Sequence, residues 1–137
     1  MSDLTMMAKQ YLNSPYKWGG NGPFKFDCSG LVLKCLSDVG ILLADTTAQG
    51  LHAWCFKQNT FYSSNPNEDC LLFFGKSTEK ISHIAIAINE RFMIEAGGGD
   101  STFTNPTQEM LRMKDARVRI KDIKRRKDLV DCIKIVY

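Results

Sequence analysis

The sequence predicts an α+β fold, with helices in the first part of the chain and strands in the second. Two observations carry this. Up to residue 56, apolar side chains recur at helical i, i+3, i+4 spacing. From Cys70 onward they form a short continuous run, Cys70 to Phe74, and then an alternation of two faces from His83 to Ile88. The 137 residues, 44% of them hydrophobic, suffice for one core. No internal repeat or low-complexity linker divides them, so residues 1–137 read as a single domain.

The first helix is expected over residues 3–12, where Leu4, Met7, Ala8, Tyr11 and Leu12 share a face and Ser2 or Asp3 can cap it. A loop follows. Pro15, Gly19, Gly20, Gly22 and Pro23 exclude regular structure there, yet Tyr16, Trp18, Phe24 and Phe26 are large and apolar. Such a loop should be packed down on something. The second helix, residues 28–39, buries Leu31, Val32, Cys35, Leu36 and Val39, with Asp27 as its cap and Gly40 as its stop. The third, residues 47–56, starts from Thr46 or Thr47 and carries His52, which reads as structural or solvated. Residues 57–69 are polar, with a turn at Asn65-Pro66-Asn67.

In the strand after Cys70–Phe74, His83, Ala85 and Ala87 share one face and Ile84, Ile86 and Ile88 the other. The small alanines are expected to admit the Cys28 helix on the His83 face. The next strand runs from Arg91 to Ala96. A two-residue turn would put Glu95 on the isoleucine face. A three-residue turn, Asn89-Glu90-Arg91, pairs Ile88 with Phe92 and sets Glu95 diagonal to His83, within reach. The odd-length turn, or a bulge of similar effect, is predicted. Gly97-Gly98-Gly99 permits close approach of a backbone or ligand. Residues 118–120 and 132–137 read as the last strands. The basic cluster Lys121–Lys127 between them reads as a solvated turn, the sharper alternative being an anionic partner.

Composition excludes several classes. A net charge of +3 permits an anionic surface but does not demand nucleic acid. There is no apolar run of membrane-spanning length, and MSDLTMMAKQYLNS lacks the pattern of a signal peptide. Five cysteines without CxxC spacing and only two histidines suggest neither a disulfide framework nor a metal site, and no cofactor is expected.

Cys28 is the residue with chemistry to offer. A loop delivers it to the first turn of a helix, where unpaired N–H groups and a partial positive charge favour negative charge, on sulfur or on the oxygen of an attacked carbonyl. The alternative is a small buried hydrophobe. Ser14-Pro15-Tyr16-x-Trp18-Gly19-Gly20, Phe26-Asp27-Cys28-Ser29-Gly30-Leu31-Val32, Leu71-Leu72-Phe73-Phe74-Gly75 and Ser82-His83-Ile84-Ala85-Ile86 together resemble, in this order, the signature of the NlpC/P60 cysteine peptidases. Thr46-Thr47-Ala48-Gln49 resembles the family's Thr/Ser-x-x-Gln segment.

The resemblance implies a papain-like α+β fold, N-terminal helices packed on a small antiparallel sheet. It implies Cys28 as nucleophile, His83 as base and then acid, and Tyr16, Asp27 and Ser29 as oxyanion- and substrate-binding residues. The family's third position, often a second histidine, falls on Glu95, a departure that still allows the imidazole to be oriented. The implied substrate is a peptidoglycan stem peptide, cut between γ-D-glutamate and diaminopimelate or lysine. With no leader in view, a bacteriophage tail or lysis protein acting at the cell wall is the expected setting, the alternatives being export by a secretion machine and a cytoplasmic enzyme acting on recycled wall fragments. Two other classes stay open: a tail-assembly module with the fold but no activity, and a thiol acyltransferase or amidase.

Overall fold

Helices form where the sequence repeats every three to four residues, and they come first: α1 (Asp3–Lys9), α2 (Cys28–Asp38) and α3 (Ala48–Phe56). The strands are β1 (Phe61–Ser63), β2 (Leu71–Gly75), β3 (Ile81–Ala87), β4 (Phe92–Gly97), β5 (Arg117–Asp122) and β6 (Leu129–Ile135). A short helix, α4 (Gln108–Met113), bridges β4 and β5. All strand pairs are antiparallel, in the order β1-β6-β2-β3-β4-β5. The computed structural model describes residues 3–58, 61–63 and 65–135.

The sheet is covered on both faces. Leu71, Phe73, Ile84, Ile86, Ile94 and Val118 share a core with Leu4, Leu31, Val32, Leu36 and Leu51 of the helices. Cys70, Leu72, Phe74, Ala85, Ala87 and Met93 form a second core with Ile123 and Cys132. Burial on both sides explains why residues 70–74 read as unbroken apolar sequence. It also corrects one expectation: the helices pack on the isoleucine face of β3, not on the alanines. Large side chains fill the gap between helix and sheet, and the alanines lie where the opposite core is thin.

His83 nevertheless meets the helix end, for two local reasons. In the β2–β3 ladder Phe74 pairs with His83 but Gly75 with Ile81, so Ser82 is an extra residue, a bulge beside the histidine. The bulge returns Ile81 to the helix-side core. The β3–β4 ladder ends at Ile86–Ile94, and the strands part toward His83.

The turn after β3 has the expected odd length. Ile88 N–H donates to the Phe92 carbonyl at 2.8 Å, and Asn89 Oδ1 accepts from Arg91 and Phe92 N–H at 2.8 Å each. Other expectations need correction. α1 stops at Lys9 because the chain turns to the sheet edge, where Asn13 N–H bonds the Val118 carbonyl at 2.8 Å. Asp3 lies inside α1 rather than capping it, and Asp69 instead accepts from Thr5 N–H at 2.8 Å; Ser2 lies outside the described residues. β5 and β6 extend the two short terminal strands expected, though residues 136 and 137 lie outside the description. β1 and α4 had no clear sequence signal, being three and six residues long.

Asp27, Thr47 and Thr107 cap α2, α3 and α4, each side chain accepting from the N–H three residues on. The aromatic loop is an annexe of the sheet. Val118 N–H bonds Ser14 O and Tyr16 N–H bonds Ala116 O, at 2.9 and 3.1 Å, so the loop lines the edge of β5. Gly30, in the first turn of α2, lies against the Gly20 carbonyl so closely that a Cβ would overlap it. Gly30→Ala should therefore lower stability by about 1–3 kcal/mol through overpacking. Urea unfolding of the two proteins checks this; an unchanged midpoint would show that the loop yields freely.

Candidate active site

The sequence builds the site from three directions. The loop brings Tyr16 and Trp18, the start of α2 brings Asp27, Cys28 and Ser29, and the sheet brings His83 and Glu95. All line one cleft of about 690 Å³. Cys28 is half-buried and lines the same cleft as His83, near enough to help hold the ring in its charged form. His83 Nε2 lies 2.8 Å from Glu95 Oε1, which leaves Nδ1 to Cys28. The diagonal placement set by the three-residue turn is what makes the second contact possible.

Glu95 is only 2% exposed. Such a carboxylate needs partners, and the second is Arg119, whose Nε donates to Oε2 at 2.9 Å. Arg119 sits directly across from Glu95 in the β4–β5 ladder, and its other arm donates to the Asp115 carbonyl at 2.9 Å. Sequence reasoning missed Arg119. Its signal was the charged alternation in Arg117-Val118-Arg119, legible only once β5 is registered against β4.

Electrostatics follow from these contacts. Burial disfavours the His83 imidazolium, but the hydrogen bonds and charges of Cys28 and Glu95 outweigh it and raise the ring to about 9. Burial likewise opposes the charged form of Glu95, yet His83 and Arg119 pull its carboxyl down to about 2. Burial first, then the negative charges at Cys28, Asp27 and Asp100, hold the Tyr16 phenol protonated well above its usual range. It is thus a standing donor in the cleft.

Asp27 combines two duties. Its Oδ1 accepts from Gly30 N–H at 2.7 Å and from Ser29 Oγ at 3.3 Å, and its Oδ2 from Gly19 N–H at 3.0 Å. It therefore caps α2 and ties the loop to it. The three glycines after Glu95 admit close neighbours: a Cβ on Gly97 would crowd the Glu95 and Arg119 groups, and one on Gly99 would enter the Tyr16 ring. Gln49, from the Thr46–Gln49 segment, clamps the approach to His83. Its amide accepts from Ile81 N–H at 2.7 Å and donates to Thr78 O at 2.9 Å. His52 stands apart, buried between Phe56 and Phe73 with Nε2 2.8 Å from Asp131, a structural histidine rather than a solvated one.

The basic cluster is not merely a solvated turn. Arg125 and Arg126 line the cleft. Arg126 is forked on Asp128 at 2.9 and 2.8 Å and stacks on Phe74. Lys121 is spent on Asp115, 3.1 Å away. Among the described residues no group of three or more His, Cys, Asp or Glu could hold a metal ion, and no helix is long and apolar enough to cross a membrane.

Comparison with known proteins finds similar sequences and similar folds. The family model described as "NlpC/P60 family" matches residues 13–120. "Probable endopeptidase p60" of Listeria grayi is 33% identical over 95 residues, 69% of this chain but only 18% of that protein. The chain thus spans under a quarter of the curated relatives it matches. Among solved structures, the NlpC/p60 domain of the peptidoglycan hydrolase SagA superposes with a TM-score of 0.68 at 23% identity, covering 97% of each chain. RipD from Mycobacterium tuberculosis, described as non-catalytic and adapted to peptidoglycan binding, gives a TM-score of 0.68 at 15% identity, covering 98% of this chain and 95% of that one.

The raised His83 pKa contributes stability that is fully present below about 6.5 and lost as pH rises through about 9. The lowered Glu95 value contributes stability present above about 4.5 and lost as pH falls through about 2. By NMR titration the His83 ring should lose its proton near 9, and Glu95→Gln should bring that midpoint down by about one unit or more. A ring titrating near its ordinary value in both proteins would contradict the buried ion pair.

Proposed function

The chain belongs to the NlpC/P60 family, and on that premise we propose that it is a cysteine endopeptidase cutting peptidoglycan stem peptides at the bond between γ-D-glutamate and a diamino acid. The observation that carries the reading is that Cys28, His83 and Glu95 line one cleft, with His83 Nε2 held 2.8 Å from Glu95 Oε1. A fold of this kind also serves a non-catalytic protein, so the fold alone would not support catalysis. The three side chains brought together in one cleft do.

In the proposed reaction the Cys28 thiolate attacks the amide carbonyl carbon. The oxygen takes up the negative charge against the Cys28 backbone N–H at the start of α2 and the Tyr16 hydroxyl. His83 Nδ1–H gives its proton to the leaving amine as the C–N bond breaks, which leaves a thioester on Cys28. Glu95 holds the ring through Nε2 and stabilises its charged form, while Arg119 holds Glu95. Water then gives a proton to His83 and attacks the thioester, and collapse expels the Cys28 thiolate and frees the product acid, which loses its proton to solvent. Asp27 and Ser29 border the cleft on the α2 side, where substrate backbone would lie. We propose the cell wall as the site of action, with carriage there by a bacteriophage tail or a secretion machine.

Purified peptidoglycan digested with the wild type should yield new stem-peptide fragments, identified by mass spectrometry. Cys28→Ala should lower their rate of release by about a thousandfold or more. Fragments made equally by both proteins would rule out the thiolate mechanism, and none from several wall types would favour the assembly-module or acyl-transfer readings. The alkaline limb of kcat/KM should fall near pH 9, where His83 loses the proton needed by the leaving amine, and should move to lower pH in Glu95→Gln.

A further inference from the structure

Three arginines line the cleft, and they differ in how their charge is used. Arg119 is bound to Glu95 and to the Asp115 carbonyl. Arg126 has both arms on Asp128. Among the described residues, Arg125 makes no hydrogen bond of either kind. Among the described residues, the carboxylate oxygen paired with it is Glu95 Oε2 at 4.0 Å, too long for a hydrogen bond, and that oxygen already accepts from Arg119 at 2.9 Å. The Arg125 side chain is 53% exposed, so its donors face the cleft and solvent.

Its position is nonetheless built. Arg125 ends the short 3-10 turn Ile123–Arg125. Ile123 is buried in the second core, its N–H bonds the Arg91 carbonyl at 2.8 Å, and Asp122 caps the turn through Lys124 N–H at 2.9 Å. The cleft is also polarised. Asp27 and Asp100 put negative charge on the Tyr16 side, whereas Arg125 puts positive charge beside the His83–Glu95 pair, the charge of Arg126 being offset by Asp128. A substrate carboxylate is repelled from the first side and drawn to the second.

We infer that Arg125 anchors a free carboxylate on the leaving-amine fragment of the substrate, so that the favoured peptide carries a carboxylate-bearing diamino acid on that side of the cut bond. The inference rests on the peptidase reading above for the direction of the substrate. His83 delivers its proton to the departing amine, so the fragment that leaves lies against the histidine side of the cleft, where Arg125 is. A planar guanidinium with unspent donors suits a carboxylate in a forked pair. A lysine at the same place in the peptide offers no such group.

Calorimetric binding to the Cys28→Ala protein tests this without turnover. The probes are L-Ala-γ-D-Glu linked to diaminopimelate or to lysine, both as C-terminal amides, and a third peptide with diaminopimelate in which the glutamate α-carboxylate is also amidated. The diaminopimelate peptide should bind about tenfold more tightly than the lysine peptide. The third peptide should keep that advantage. Arg125→Gln in the same background should bring the ratio close to one, and Arg125→Lys should restore part of it. Equal binding of the first two peptides, no binding of either, a preference that survives Arg125→Gln, or one that follows the glutamate α-carboxylate would each overturn the inference. Hydrolysis of the same peptides by the wild type separately decides the peptidase reading, so loss of selectivity and loss of catalysis are told apart.

Discussion

The carboxylate of Glu95, almost wholly removed from water, is the constraint around which this structure is arranged. An unpaired charge there would cost several kcal/mol. It is paired from both sides, by His83 on β3 and by Arg119 on β5. Those two pairs depend on register. Shifting β3 against β4 by one residue would turn Glu95 into the helix-side core. Moving β5 likewise would take Arg119 away. The Asn89-Glu90-Arg91 turn and the Glu95–Arg119 pairing are therefore parts of one electrostatic solution.

β5 links the two halves of the site. Its inner row supplies Arg119 to the histidine side. Its edge takes the backbone of residues 13–16 and so fixes Tyr16 and, through Gly20 and Asp27, the start of α2. Cys28 and His83 come from distant parts of the chain, yet both are referred to the same strand. Bulge, ladder end and glycine contacts then close the remaining gap at the margin of the sheet. At the centre His83 is held by Glu95, Glu95 by Arg119, and Arg119 by the Asp115 carbonyl.

The carboxylate at the third position differs from the histidine often found there in the resembled family. A carboxylate supports imidazolium more strongly than a neutral ring does, which alone would push His83 far toward permanent charge. Arg119 shares the carboxylate and helps keep it ionised beside the ring. The pair Glu95–Arg119 thus acts as a partly neutralised orienter, with Arg125 adding positive charge at the open end.

Local chemistry alone determined much of this protein. Apolar period distinguished helices from strands, Asp27 and Thr47 marked helix starts, and Gly40 marked a stop. The motifs around Cys28 and His83, and the parity argument for Glu95, were legible because they depend on neighbours within about a dozen residues. What only the tertiary structure decided depends on long-range pairing. Arg119 became part of the site through a strand register set across 24 residues, and Arg125 through a core that buries its neighbour Ile123. The face on which the helices pack was decided by which side chains fill the space between layers, a volume requirement that alternation cannot express. β1 and α4 are too short to carry a period at all.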